Sequence, residues 1–152
     1  MSEYVPVNHV FLGQSATSVD EVLHLLATRA VELGLGSSVD DVYEAFKARE
    51  AEGTTGMTGG FAIPHAKSDA ISKSGMIVAK LNEGVTWASM DNVPITCAIA
   101  ILTPSSEANT THLQLLSKVA VMLMNEDFRA RVLAAEDAEK ISELVNAGLD
   151  EE

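Results

Sequence analysis

The order of helical and extended patterns along the 152-residue chain predicts an α/β fold, in which helices cover both faces of a sheet. After one short apolar segment, two amphipathic helices are predicted, then several more short apolar segments, and three helices end the chain. Residues 94–102 are nearly all apolar and β-branched, as expected of a strand that is buried on both faces. The length suits one hydrophobic core, so we expect a single domain over residues 1–152.

The first part of the chain predicts one strand and two helices. Residues 5–12 form a short apolar segment and are predicted as the first strand. Ser18 and Ser38 each precede an acidic first turn and an apolar stripe of helical period, so each is predicted to cap a helix. The first of these helices should end at Gly34, and the second near residues 49–50.

The middle of the chain predicts a loop and two strands. Residues 52–60 are rich in Gly and Thr and are predicted as a mobile loop. Strands are predicted at residues 75–81 and 94–102, and residues 103–106 should end the second of them.

Three helices are predicted after these strands. Thr110 or Thr111 should cap the first, and Asn125 should cap the second. The last helix is expected to stop at Gly148.

The composition predicts a soluble, cytoplasmic, globular protein. No apolar run reaches the roughly 18 residues of a membrane span, and no basic segment followed by an apolar one marks a signal peptide. The single cysteine, Cys97, cannot form an internal disulfide. Ten basic and 22 acidic residues give a net charge of −12, which disfavours nucleic acid and membrane as partners and favours basic proteins. Alternatively, the acidity only maintains solubility.

The central stretch is residues 59–70, with the sequence GGFAIPHAKSDA. It is predicted as a short strand that delivers His65 at its end, followed by a polar turn, because Pro64 favours an extended residue before it. Strand ends are where α/β sheets place ligand sites. An imidazole, with an ordinary pKa of about 6.5, offers a lone pair at neutral pH, so His65 is a candidate nucleophile for phosphoryl transfer. The alternative is a structural, hydrogen-bonded histidine.

Five further residues are candidates for binding the phosphoryl group. His112 begins a predicted helix, where amides favour an anion and a neutral imidazole, although it also suits an ordinary first turn. The Arg49 guanidinium matches phosphate oxygens, but a cation at a helix C-terminus also interacts with the dipole. Lys67 would screen phosphoryl charge, and Thr54 and Thr55 offer hydroxyl groups; a solvated turn lysine and ordinary loop polarity explain these three equally well.

Other chemistries have no support in the sequence. Cys97 lies inside an apolar run and is predicted as a core residue, and His9 and His24 are predicted to pack against apolar neighbours. The histidines lack metal-ligand spacing, and one cysteine excludes a thiolate cluster. The phosphate-binding loop, the dinucleotide fingerprint and the serine-hydrolase elbow are all missing from the sequence. We therefore expect no metal and no cofactor.

Three segments resemble those of the fructose/mannitol-class enzyme IIA domain (EIIA type 2) of the bacterial phosphoenolpyruvate-dependent sugar phosphotransferase system. Residues 60–70 (GFAIPHAKSDA) resemble its histidine signature. Residues 48–50 (ARE), followed by TTG at 54–56, resemble its arginine segment, and residues 111–120 (THLQLLSKVA) its second histidine segment. The three occur in the family's order and cover most of the chain. Ala66 departs from a common glycine and Phe61 from a more usual aliphatic residue.

The resemblance implies a fold and a mechanism. The family fold is a three-layer α/β/α sandwich with a mixed β-sheet. The phosphocarrier HPr would phosphorylate His65, a cysteine of a IIB domain would accept the phosphoryl group, and a IIC membrane domain would couple the transfer to sugar uptake. Arg49 and His112 would hold the phosphoryl oxygens.

Two points stay open under this resemblance. The Pro-His-x-Lys-Ser-Asp pattern favours the fructose branch, but a nitrogen-type regulatory IIA domain would carry phosphate on the same histidine and act by binding a partner. A purely structural module would not be phosphorylated at all. For either IIA function, an apolar rim of Phe61, Ile63 and Met57 is predicted to shield the phosphohistidine from water.

Overall fold

The computed structural model describes residues 4–107 and 113–150, and its described strands form one mixed sheet. The strand order is β1–β4–β5–β2, and β3 also pairs with β5. Strand β1 is parallel to β4, β4 is antiparallel to β5, and both β2 and β3 are parallel to β5. The strands are β1 (Val10–Gln14), β2 (Phe61–Ala62), β3 (His65–Ser68), β4 (Gly75–Val85) and β5 (Ile95–Pro104).

Helices cover both faces of this sheet. The core on one face includes residues of the first two helices, such as Val22 and Phe46, and the core on the other face includes Val119 and Val145 from the later helices. This arrangement confirms the predicted α/β/α sandwich. Within the described ranges, no helix has both the length and the apolarity needed to cross a membrane. The helices are α1 (Val19–Glu32), α2 (Val39–Glu52), α3 (Leu113–Leu123), α4 (Glu126–Ala134) and α5 (Ala138–Asp150).

Three of the predicted helix caps are confirmed. The side-chain oxygens of Ser18, Ser38 and Asn125 each accept the backbone amide three residues later, at 3.2, 3.3 and 3.0 Å. Each bond satisfies one of the amide groups that a first helical turn leaves without a partner. The predicted cap of α3, Thr110 or Thr111, lies outside the described residues.

Several element boundaries differ from the prediction. Strand β1 starts only at Val10, because Val7–His9 form a short 3-10 turn. Helix α2 continues to Glu52, and β4 to Val85. Strand β5 continues through Pro104, because its last residues pair with β3. Helix α5 passes through Gly148, where a Cβ atom would come within 2.7 Å of Met122; this glycine serves helix packing and does not end the helix.

Strands β2 and β3 act as one edge strand of the sheet. Phe61 pairs with Cys97 and His65 pairs with Ile101, so the offset of 36 residues is the same before and after the break (97 − 61 = 101 − 65). The break falls beside Pro64, which has no N–H to donate. His65 therefore lies within the edge strand, and the prediction that it ends a strand and precedes a polar turn was wrong.

Candidate functional site

His65 lies on the sheet face that α3, α4 and α5 cover. Its register partner Ile101 belongs to the core on that face, whereas the next residue, Ala66, belongs to the core beneath α1 and α2. His65 is only 6% exposed, and its Nδ1 atom is buried. Because Nδ1 is buried, Nε2 is the ring nitrogen that we consider as the candidate nucleophile.

A cation and a hydroxyl group lie two residues beyond His65 along the strand direction. Lys67 is exposed on β3 and pairs in register with Thr103 of β5, which is fully buried. Because side chains alternate along a strand, both share the His65 face. Lys67 thus belongs to a strand and not to a turn. Thr103, predicted with residues 104–106 to end the strand, is instead part of β5.

Arg49 lies on a helix that packs on the opposite face of the sheet. It lies in the last turn of α2, which packs against β3. Its Nη1 atom donates a hydrogen bond of 2.8 Å to the carbonyl oxygen of Gly53. This bond agrees with the alternative to phosphate binding, in which Arg49 is a cation that stabilises the C-terminus of its helix. A guanidinium has five N–H donors, so one such bond is compatible with anion binding, which stays a prediction for Arg49.

The loop after α2 is held by many contacts. Thr55 is buried, and its hydroxyl donates to Oε2 of Glu50 at 2.7 Å. The Thr54 hydroxyl donates to the carbonyl oxygen of Ala88 and accepts from the Gly56 amide at 3.1 Å. Both hydroxyl protons are thus used inside the protein, and phosphoryl binding by either threonine stays a prediction.

The same loop pairs with the edge strand just before His65. The Ile63 amide donates to the Thr55 carbonyl oxygen at 3.0 Å, and the Met57 amide donates to the Phe61 carbonyl oxygen at 2.8 Å. Phe61 is fully buried in the core, so it does not belong to an exposed apolar rim as predicted. Ile63 is 6% exposed, and Met57 is half-buried beside the same core.

His112 falls outside the described residues, so its role stays a prediction. The helix that follows it, α3, begins at Leu113 and packs on the same sheet face as His65. In the ranges 4–107 and 113–150, no three His, Cys, Asp or Glu side chains group as metal ligands would.

The remaining candidates differ in their surroundings. Cys97 is buried, as predicted, and burial raises the pKa of its thiol to about 12. The Nδ1 atom of His9 is 2.9 Å from the carbonyl oxygen of Met76. His24, predicted to pack in apolar surroundings, is exposed on α1, and its ring contacts that of Tyr43 edge-on.

The chain belongs to the family described as phosphoenolpyruvate-dependent sugar phosphotransferase system, EIIA 2, which matches residues 3–148. The resemblance that the three sequence segments indicated is thereby confirmed.

Relatives within the family carry two different functional names. The chain is 32% identical over 145 residues to the "PTS system fructose-specific EIIA component" of Haloferax volcanii, covering 95% of this chain and 94% of the relative. It is 33% identical over 141 residues to a "Nitrogen regulatory protein" of Bradyrhizobium diazoefficiens, covering 93% and 91%. Sequence identity therefore does not separate the two branches.

Solved structures give the same picture. The nitrogen regulatory protein IIA-Ntr of Neisseria meningitidis superposes with a TM-score of 0.86 at 26% identity, covering 94% of this chain and 97% of that one. The mannitol enzyme IIA of Escherichia coli, in its complex with phosphorylated mannitol enzyme IIB, superposes with a TM-score of 0.79 at 19% identity, covering 94% and 97%. At that identity the second match supports the fold alone.

Proposed function

We propose that this protein is a phosphoryl carrier of the sugar phosphotransferase system. His65 accepts a phosphoryl group from phospho-HPr and passes it to a cysteine of a IIB domain, for coupled uptake and phosphorylation of a sugar of the fructose or mannitol class. The observation that carries the proposal is the placement of His65, at 6% exposure with Nδ1 buried, inside the region that matches the family.

The transfer uses Nε2 as the nucleophile. Its lone pair forms a bond to phosphorus while the bond between phosphorus and the donor breaks, so the phosphoryl group moves without any change in oxidation state. Such a transition state needs in-line placement and stabilisation of charge on the equatorial oxygens. Lys67 on the same strand, Arg49 at the end of α2 and His112 before α3 supply the cationic and N–H groups for those oxygens.

Near-complete burial of His65 suits a carrier. A phosphohistidine must outlast the interval between donor and acceptor, and exclusion of water slows its hydrolysis. The approach of two protein partners is helped by the net charge of −12, which attracts basic docking surfaces over a range set by ionic strength.

A second candidate function is supported by the relatives. Identity to a nitrogen regulatory protein is 33%, against 32% to a fructose-specific component. In the regulatory alternative His65 carries the same phosphoryl group, but the phosphorylated and free forms bind a target protein differently, and no IIB cysteine is phosphorylated.

The proposal is tested by incubating the full chain with labelled phosphoenolpyruvate, enzyme I and HPr. We expect a heat- and acid-labile label on the wild type and no label on a folded His65→Ala variant. His24→Ala is the matched control, because His24 is an exposed histidine on α1, and it should be labelled normally. Normal labelling of His65→Ala would contradict the assignment.

Addition of purified IIB domains then separates the two candidate functions. Loss of label from the wild type, with its appearance on a IIB cysteine, supports the sugar carrier. Retention of label in the presence of fructose- and mannitol-class IIB domains supports the regulatory alternative.

A further inference from the structure

Glu50, which follows Arg49 at the end of α2, accepts three hydrogen bonds with its carboxylate. Its Oε1 atom accepts from the Thr55 amide at 2.9 Å and from the indole Nε1 of Trp87 at 2.9 Å. Its Oε2 atom accepts from the Thr55 hydroxyl at 2.7 Å. Glu50 is half-buried, whereas Trp87 and Thr55 are 4% and 3% exposed. One side chain thus joins the helix end, the loop after it and the segment after β4.

These bonds connect Glu50 to the strand that carries His65. Thr55, held at both its amide and its hydroxyl, uses its carbonyl oxygen to accept the Ile63 amide at 3.0 Å. Ile63 is followed by Pro64, whose φ is fixed by its ring, and then by His65. A displacement of Thr55 is therefore transmitted through one backbone hydrogen bond and a stiff dipeptide.

We propose that Glu50 is a positioning residue for phosphoryl transfer, which rests on the proposed function of His65. Its carboxylate fixes the position of Thr55. Thr55 in turn fixes the position of the edge-strand backbone at Ile63, through the hydrogen bond between them. The same contact fixes the end of α2, where the neighbouring residue Arg49 lies. Glu50 itself faces Thr55 and Trp87, so it acts through the geometry of the site and not by touching the phosphoryl group.

The contact requires an acceptor at position 50. The Thr55 amide and the Trp87 indole N–H, which both donate to Oε1, can only donate, whereas the Thr55 hydroxyl on Oε2 can also accept. A glutamine would therefore retain the contact by accepting the two N–H groups at Oε1 and donating from Nε2 to the hydroxyl. Glu50→Leu has a side chain of similar size without any acceptor, so it removes all three bonds.

The test compares Glu50→Leu with Glu52→Leu, the same change at an exposed position two residues later on the same helix. The limiting rate and the half-saturating concentration of phospho-HPr are measured by rapid quench in the full chain, at a temperature where circular dichroism shows each variant folded. We expect the limiting rate of Glu50→Leu to fall about 10- to 100-fold, because small misplacements of reacting groups have effects of that size. Its half-saturating concentration and both parameters of Glu52→Leu should stay within about twofold of the wild type.

The other possible results also decide for or against the role of Glu50. A folded Glu50→Leu protein with the wild-type limiting rate would overturn the inference. A raised half-saturating concentration with an unchanged rate would also overturn it, because that result would indicate that Glu50 contacts phospho-HPr. If Glu50→Leu does not fold, Trp87→Phe replaces it, because this variant keeps an aromatic ring in the core and removes one donor to Glu50; slowing supports the inference and an unchanged rate overturns it. A wild type that accepts no phosphate refutes the proposed function, and with it this inference, whereas failure of the inference alone leaves the wild type fully labelled.

Discussion

The side-chain amide of Asn146 pairs with both backbone polar groups of Val5. Its Oδ1 atom accepts from the Val5 amide at 2.9 Å, and its Nδ2 atom donates to the Val5 carbonyl oxygen at 2.9 Å. Asn146 also accepts from the Tyr4 amide at 2.8 Å, and the Ser142 hydroxyl donates to the Val5 carbonyl oxygen. Helix α5 thereby holds the segment before β1 as a neighbouring strand would.

We predict that Asn146→Ala destabilises the protein by about 2–4 kcal/mol, because buried amide and carbonyl groups lose their partners. Urea denaturation followed by circular dichroism measures the change. Asn82→Ala is the control, since Asn82 makes exposed contacts with Gly13 and Ser15. A loss for Asn146→Ala no greater than that for Asn82→Ala would contradict the prediction. Labelling of His65 in the folded variant should be unaffected.

Lys80 of β4 caps the C-terminal end of α4. Its Nζ atom donates to the carbonyl oxygens of Val132, Leu133 and Ala135 at 3.2, 2.9 and 2.8 Å. Lys80→Met keeps the aliphatic part of the side chain but removes the charged donor, so we expect a loss of about 1–3 kcal/mol in the free energy of unfolding. The exposed Lys73, substituted in the same way, should change it by less than about 0.5 kcal/mol. Equal midpoints in urea for the two variants would refute this role.

Asp91, in the loop before β5, is expected to make the stability of the protein depend on pH in acid. Hydrogen bonds from the amides of Gly59 and Val93, and from the Thr58 and Ser89 hydroxyls, lower the pKa of its carboxyl group from 3.8 to about 2. Because the pKa is lower in the folded state, the stabilisation is complete above the unfolded value of 3.8 and is lost as the pH falls toward about 2.

The difference in urea midpoint between wild type and Asp91→Asn should therefore be constant from pH 7 to about pH 4 and shrink between about pH 4 and pH 2. Titration of the Asp91 carboxyl carbon by NMR gives an independent value. A difference that grows on acidification would have the wrong sign and would contradict the assignment.

Arg49→Lys separates a phosphoryl ligand from a helix-terminal cation. Lysine keeps the charge and one donor for the Gly53 carbonyl oxygen, so the free energy of unfolding should change by less than about 0.5 kcal/mol. It lacks the planar fork that matches phosphate oxygens, so phosphoryl transfer to His65 should slow by about tenfold or more. Arg131→Lys on α4 is the matched control, because this arginine pairs with Asp127 on the surface. If both variants transferred phosphate at the wild-type rate, Arg49 would not bind the phosphoryl group and would act only at the end of α2.

The sequence predicts most of the fold because its signals are local. Ser18, Ser38 and Asn125 cap helices through their own turns, and the apolar run of β5 marks a buried strand without reference to any neighbour. Boundaries set by distant partners were not predictable in this way. Strand β5 reaches Pro104 only because β3 pairs with it, and Gly148 stays helical because it packs on Met122.

The candidate site likewise contains residues that the sequence indicates and contacts that only the folded chain creates. His65 stands out in the sequence because of Pro64 and the glycines before it, and the family to which the chain belongs strengthens that choice. The contacts of Glu50 with Thr55 and Trp87 span 5 and 37 residues, and the burial of Thr103 depends on the layer above it. Such relationships arise only when the chain is folded, so no spacing rule indicates them.

Trp87 is the chain's single tryptophan, and its indole N–H donates to Glu50. Its emission therefore reports on the surroundings of the Glu50 contact, without dye or label. Stopped-flow fluorescence after mixing with phospho-HPr would record any change in these surroundings during phosphoryl transfer.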